Sequence, residues 1–395
     1  MLTIFKSSNM KKLFYFAAAA VALAACAKNE VIPVNSGENQ EITFNVAPKT
    51  KADPQTFNTG NVFASWAYYL PKNKTWDANW KEAVEYIGTE HVGSTISFKN
   101  NVWKDQTTSY YWPKEGSLTF FAYSLNSNKL AETECYFYCE KEAGNADGST
   151  KDQYGITGSL NLDAHSNTDF LVADIAPDKT ANVDKYKFNG VPTLFRHRLS
   201  RVKFAVKKQS DYKDVTFTLN SIQFCNLSKG MNYTQFKKNS DNVFEEVLDP
   251  FPATSIQKYT KGEDIAFTVS GTEFELIPEA KEDRYIYIPQ PFSPGSNVAT
   301  NAYIEVKYTI TTTVKVTTPE GTSTNDVVEH VTKNIFLNPE GENVTKMFDK
   351  WEMGKKYTIN LTFTLDEILW APAVQDWDDV NIGTGINTDK PIIVG

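Results

Sequence analysis

The four cysteines, the four histidines and the aspartates near the C-terminus are the side chains of this chain best suited to covalent, metal or acid–base chemistry. His91, His165, His197 and His330 lie far apart, and no serine or cysteine stands beside one in a nucleophile setting. His197 falls on an apolar strand-like face and is expected to be a hydrogen-bonded core histidine. Asp376, Asp378 and Asp379 could offer paired carboxylates for glycoside hydrolysis. No partner carboxylate in a cleft can be inferred for them, so a solvated turn is expected. Cys135 and Cys139 bracket the strand-like run Cys135-Tyr136-Phe137-Tyr138-Cys139. At ~3.3 Å per residue they share a face about 13 Å apart, too far for a disulfide with each other. A metal site would need further ligands nearby, which the sequence does not supply. Both, with Cys225, are expected to be buried thiols outside any disulfide. Glycine-rich phosphate loops are absent from the sequence. The expectation is no catalytic, cofactor or metal residue, and no enzyme.

Cys26 is a different case. Leu23-Ala24-Ala25-Cys26 comes after Lys11, Lys12 and an apolar run from Leu13 to Leu23. That run falls short of the ~20 residues of a spanning helix but suits the core of a signal peptide. Small residues leading straight into a cysteine resemble the lipobox of bacterial lipoproteins, whose thiol takes a diacylglycerol and whose signal peptidase would cut here between Ala25 and Cys26. Two or more acyl chains, at ~0.8 kcal/mol per buried methylene, hold a protein where one would release it. The alternative is an ordinary secretory signal cut after an alanine-rich patch. Residues 1–25 are thus read as the signal peptide. Residues 26–40, polar and carrying Pro33, Asn35, Ser36 and Gly37, are read as a flexible tether.

Those residues need a folded body to act from. The 395-residue chain less its signal leaves more than one core usually serves, so two domains are expected. With 25 Phe, 19 Tyr and 8 Trp, the aromatic content leans towards β structure. A net charge of −8 without a basic cluster argues against nucleic acid as a partner.

Along the chain, Ile42, Phe44 and Val46 alternate with polar residues as a half-buried strand does. Pro48 stops that strand, and the basic, polar break Lys49-Thr50-Lys51-Ala52-Asp53-Pro54 leads to an apolar run from Val62 to Leu70. Trp80, Ala83, Val84 and Ile87 take the spacing of one helix face behind Asp77 as N-cap, which predicts one short helix over 77–87. Strand patterns return at Ile96 to Phe98, Tyr110 to Pro113, Leu118 to Tyr123, Tyr136 to Cys139 and Phe170 to Ala173. A new unit is expected from Leu194. There Phe195, His197 and Leu199 have one parity and Val202, Phe204 and Val206 the other, so a β-bulge near Ser200 is predicted. Further strands fall at 215–219, 222–225, 265–269, 274–277 and 285–288. A long hairpin turns at Pro319-Glu320-Gly321, and a last alternating strand spans 357–365. Many strands and one short helix predict an all-β protein of two tandem β-sandwiches, 41–193 and 194–382, each folding by itself, with a tail at 383–395.

Several stretches resemble the fimbrillin family of Bacteroidetes lipoproteins. They are Phe44 after the tether, Tyr111-Trp112-Pro113 with Leu118 to Tyr123, Thr168 to Ala173, Phe195 to Phe204, and Trp351 to Tyr357 with Val374-Gln375-Asp376-Trp377-Asp378. The resemblance runs through nearly the whole mature chain in order. It implies two transthyretin-like sandwich domains and a role as structural or adhesive subunit, tip or anchor of a type V fimbrium, without catalysis or cofactors. It implies other fimbrial subunits as partners in a homo- or hetero-polymer, a lipid anchor in the outer membrane, and a host or bacterial surface ligand. In such pilins a trypsin-like protease cuts after a basic residue beyond the first strand. Lys51 and Ala52 hold that place here, although the family commonly has arginine. Ile392, Ile393 and Val394 are then the candidate donor strand.

The alternative is a surface glycan-binding lipoprotein using an exposed aromatic platform, because Trp66, Trp76, Trp80, Trp103 and Trp112 crowd the first unit, although most of them are expected to be core, where tryptophan supplies large buried area.

Overall fold

The computed structural model describes residues 40–46, 57–89, 91–131, 135–162, 168–181, 190–252, 259–260, 267–277, 286–341 and 345–376. The expected all-β architecture is what they form. The chain opens with β1 (Phe44–Val46) and β2 (Val62–Leu70), then a single helical turn, α1 (Trp76–Asn79). β3 (Val84–Ile87), β4 (Ser94–Lys99), β5 (Val102–Asp105) and β6 (Ser117–Ser124) come after it. Next are β7 (Cys135–Glu142), β8 (Gln153–Asn161), β9 (Leu171–Ala173), β10 (Ala176–Lys179), β11 (Val191–Thr193) and β12 (Phe195–His197).

One sheet takes most of these strands, in the order β11-β1-β5-β4-β2-β6-β9-β12, with β3 added to β2 and β10 to β6. Its central strands are covered on both faces, which is why Val62–Leu70 and Ser117–Ser124 read as continuous apolar runs rather than alternating ones. From β2 and β6, Trp66, Tyr68, Phe121 and Tyr123 face one core, while Phe63, Tyr69, Leu118 and Phe120 face another. The second core is closed by the sheet curling over itself. Phe44 of β1 meets Phe63 and Phe120 edge-on at centroid distances of 5.4 and 5.9 Å, and Trp103 of β5 lies 5.7 Å from Phe63.

The helix predicted over 77–87 is shorter. α1 passes into a 3-10 turn, Trp80–Glu82, and Val84–Ile87 is strand, paired to Ala67, Tyr68 and Tyr69. Trp80, Ala83 and Ile87 do turn inward as the spacing implied, whereas Val84 is exposed; Trp76, outside that pattern, is buried too. The vacant edge of β2 offers main-chain partners that a further helical turn would forgo. Thr75, not Asp77, occupies the N-cap position.

After β12 come β13 (Ser200–Lys208), β14 (Val215–Cys225), β15 (Gly230–Lys238), β16 (Phe244–Pro250), β17 (Tyr259–Thr260), β18 (Phe267–Val269), β19 (Glu275–Leu276) and β20 (Ile286–Tyr287). The long pair β21 (Tyr303–Thr318) and β22 (Gly321–Phe336), then β23 (Lys355–Phe363) and β24 (Ile368–Asp376), complete the described strands. Two five-stranded sheets face each other here. One has the order β19-β13-β23-β24 with β20 on β13; the other has β17-β14-β21-β22 with β18 on β14. Val202, Phe204, Ile359 and Leu361 from the first meet Phe217, Phe224, Ile304 and Val306 from the second in a common core.

The parity change near Ser200 is not a bulge. The backbone leaves one sheet at His197 and joins another at Ser200, so Phe195 packs with the curled sheet's core and Val202, Phe204 and Val206 with the second unit's core. Leu199, fully buried between them, belongs to the remaining core.

The expected division at 193/194 does not coincide with the division of the sheets. A four-stranded sheet, β16-β15-β8-β7, takes β7 and β8 from before that point and β15 and β16 from after it. β15 pairs with β8 from Gly230↔Asn161 to Lys237↔Gln153 and supplies Met231 and Tyr233 to the core beneath. The close approach of β7 and β8 requires Gly158, where a Cβ would lie 2.1 Å from the Tyr136 carbonyl oxygen. Arg198 bolts the crossing strands together: its guanidinium and the Tyr233 hydroxyl both donate to Glu246. No helix among the described residues is long and apolar enough to cross a membrane.

Candidate assembly groove

β1 is a short strand held on both sides. It runs parallel to β11, with Phe44 opposite Val191 and Val46 opposite Thr193, and meets β5 antiparallel at Phe44↔Trp103. The main chain around it is tied by Ile42 N–H to the Tyr110 carbonyl at 2.7 Å, Val191 N–H to the Thr43 carbonyl at 2.7 Å, and Trp112 N–H to the Gln40 carbonyl at 3.2 Å. The predicted alternation is realised: Ile42 and Phe44 are buried, and Val46 packs against the same core.

Glu41 anchors the start of the segment. Its carboxylate accepts from Lys104 Nζ at 2.8 Å and from Ser109 Oγ at 2.7 Å. Partial burial opposes its ionisation, but these hydrogen bonds outweigh that and hold its pKa below the ordinary value. Removing the segment would uncover an apolar trough floored by Phe63, Phe120, Trp103 and Val191, with open main-chain groups on β5 and β11. Burial of Ile42 and Phe44 stabilises the closed form by roughly 3–6 kcal/mol.

The other residues expected to act with this strand, Ala25, Cys26, Lys51, Ala52, Ile392, Ile393 and Val394, lie outside the described residues. So do His165, Trp377, Asp378 and Asp379. Asp376 forms a cross-strand ion pair with Lys355. His197 Nδ1 stands 2.8 Å from Asp169 Oδ2, as a core histidine on a polar tether would. Arg196 grips Asp174, with one contact at 2.6 Å. The polar residues of the Phe195 to Arg198 stretch thus tie β12 to the residues flanking β9, and Arg198 to β16, a role the strand pattern alone did not signal.

Cys135, Cys139 and Cys225 are buried and carry no disulfide. Burial pushes the Cys139 thiol far above its usual range, so it stays protonated. No metal-holding cluster of His, Cys, Asp or Glu occurs among the described residues. Trp66, Trp76, Trp80, Trp103 and Trp112 form no exposed platform and are core, as was expected of most of them. All five are buried, none more than 9 % exposed, because the sheet's double cover consumes them as core.

The profile of a family described as fimbrillin-like matches residues 50–377. Among solved structures, a fimbrial protein from Bacteroides vulgatus is similar over 86% of this chain and 100% of its own, at 15% identity and a TM-score of 0.52. At that identity the likeness is one of fold. A protein from Bacteroides uniformis described as a candidate for cell adhesion matches 85% of this chain and 99% of its own, at 14% identity and a TM-score of 0.42. None of the curated proteins compared matches the chain.

Proposed function

Because the chain belongs to the fimbrillin-like family, we propose that it is a structural or adhesive subunit of a type V fimbrium, exported as a lipoprotein and assembled by strand exchange. Cys26 is its lipid-bearing N-terminus after removal of residues 1–25, and residues 26–40 tether it to the outer membrane. Its two units are read as tandem transthyretin-like β-sandwiches, 41–193 and 194–382, the second lending β15 and β16 to the first. Its partners are further fimbrial subunits, and its chemistry is binding rather than catalysis.

The observation that carries the reading is β1. It is a strand of three residues inserted between β11 and β5, with Ile42 and Phe44 filling an apolar trough. Cleavage between Lys51 and Ala52 would free the segment together with its lipid. A donated strand could then fill the trough with main-chain hydrogen bonds and alternate side chains. Ile392 and Val394 in the tail have the same two-residue spacing as Ile42 and Phe44.

The test is immunoelectron microscopy and membrane fractionation of cells expressing the chain. Labelled fimbriae are expected, with Cys26→Ala moving the protein out of the membrane pool. Limited trypsin digestion should give a fragment beginning at Ala52 that forms detergent-resistant oligomers. Oligomers that persist with Lys51→Ala or without Pro391 to Gly395 would refute the exchange mechanism while leaving the family membership intact.

A further inference from the structure

A groove of about 500 Å³, lined by both polar and apolar surface, opens at the free end of the β4–β5 hairpin. Its volume is in the range of small-ligand sites. One wall is made by Gly88, Thr89, Val92 and Gly93, which Trp66 holds from behind. The indole Nε1 donates to the Thr89 carbonyl at 2.9 Å, and a Cβ on Gly88 or Gly93 would come within 2.8 Å of the indole ring. Thr89 and Val92 exchange both main-chain hydrogen bonds across the loop, and His91 packs edge-on against Tyr138 at 5.3 Å.

The facing wall is equally fixed. Asp105 Oδ1 accepts from the Thr107 and Thr108 amides at 2.7 and 2.9 Å and from Thr107 Oγ1 at 2.7 Å, while Oδ2 accepts from Ser94 Oγ at 2.6 Å. Gln106 Nε2 donates to the Ser97 and Lys104 carbonyls. Burial works against the Asp105 carboxylate, yet the hydrogen bonds from Ser94 and Thr107 outweigh it and keep it ionised. Two half-buried phenols, Tyr86 and Tyr110, complete the rim.

The chemistry of this lining selects a class of ligand. Hydroxyls, an amide, a preorganised carboxylate and phenol rings match a molecule dense in neutral hydroxyl groups with apolar ring faces. Lysine, arginine and histidine do not line the groove among the described residues, and nearby Lys104 is engaged with Glu41. A phosphate, sulfate or carboxylate ligand would find no countercharge there and would face Asp105. Rigid walls reduce the ordering cost of binding, which matters for a shallow site.

We propose that the groove between the pair Thr89 and Val92 and the stretch Asp105–Thr107 is a binding site for neutral glycan chains. The proposal deepens the adhesive part of the function above and rests on it. It does not depend on strand exchange.

The test uses the purified full chain on an array of neutral glycans covering glucose, galactose, mannose, fucose and N-acetylhexosamine units, with hyaluronate as the anionic probe. Binding to at least one neutral glycan and not to hyaluronate is expected. Thr95→Arg, at an exposed position of the lining, should abolish it, and Gln106→Ala should weaken it by about threefold or more, the loss of one or two hydrogen bonds. Both variants should melt as the parent does. Absence of any neutral binding, preference for hyaluronate, or parental binding by both variants would overturn the proposal. The same variants are scored for incorporation into fimbriae. Incorporation without glycan binding by the parent defeats the groove alone, whereas glycan binding without fimbriae defeats the fimbrial reading alone.

Discussion

Cutting the chain between Val191 and Pro192 tests how far the two units depend on each other. The fragment Glu41–Val191 gives up β12 and the β15–β16 hairpin. Leu199, Met231, Tyr233, Ile286 and Ile288, none more than 6 % exposed, then leave its core. At roughly 1.5–3 kcal/mol for each such side chain, the loss is about 7–15 kcal/mol, on the order of the whole stability of a domain. The lower end is the better guide, because unfolded chains already bury part of this surface. β8 also loses the partner of its main chain from Gln153 to Asn161. The complementary fragment, Pro192–Gly395, keeps both sheets of its own core. In thermal melts monitored by circular dichroism, Pro192–Gly395 should unfold cooperatively and Glu41–Val191 alone should not. Co-expression should restore a single transition. A cooperative melt of isolated Glu41–Val191 within a few degrees of the full chain would refute the reasoning.

Arg198→Ala should cost about 2–3 kcal/mol by urea titration, since it strips the partly buried Glu246 of its cation, somewhat less than for a fully buried pair. Asp152 is opposed by burial but held ionised by Lys81, the Gly144 amide and Lys238, with its pKa lowered to about 2. A depressed carboxylate stabilises above its unfolded value and loses that contribution as pH falls, here from about 4 to about 2. Asp152→Asn should therefore flatten the acid limb of the stability profile in that window and leave the slope above pH 5 unchanged. Trp76→Ala should cost about 3–5 kcal/mol as a core truncation without altering glycan binding. Replacing Thr313–Asp326 by a two-residue Asn-Gly turn should change stability by less than about 1 kcal/mol, because that end of the β21–β22 ribbon is largely exposed. Calorimetry would check both.

The all-β class was legible because most strands alternate or run apolar, as at Ile42, Phe44 and Val46 or from Val62 to Leu70. What could not be read was which sheet each strand joins. The parity change at Leu199 was visible, but a bulge within one sheet and a passage between two sheets produce the same pattern of residues. β15 escaped notice because Gln235 stands at an inward position. Its side chain is buried, donating from Nε2 to the Ala173 carbonyl at 2.9 Å and accepting from the Ile156 amide at 3.1 Å. A polar residue satisfied inside the core looks like a solvent-facing one in sequence. The tryptophans were legible as core: a sheet covered on both faces has twice the core to fill, so their abundance signals thickness rather than a binding surface.

The two candidate sites differ in how sequence could reveal them. The β1 trough is local: three residues of one parity, a proline stop and a basic break announce a strand that can be parted from the rest of the chain. Its contribution of about 3–6 kcal/mol from Ile42 and Phe44 is smaller than that of the two larger cores, which β1 does not enter. A chain that loses β1 therefore keeps most of its folding energy while exposing a groove that demands two apolar side chains, two residues apart, on an extended backbone. The groove beside the β4–β5 hairpin is non-local. Thr89 comes from one segment and Asp105 and Gln106 from another, joined only by the β4–β5 pairing and by Trp66 behind Thr89, and serine, threonine and glutamine carry no distinctive spacing of their own. Such a site becomes visible only once the register Ile96↔Asp105 has brought the two ends of the hairpin together.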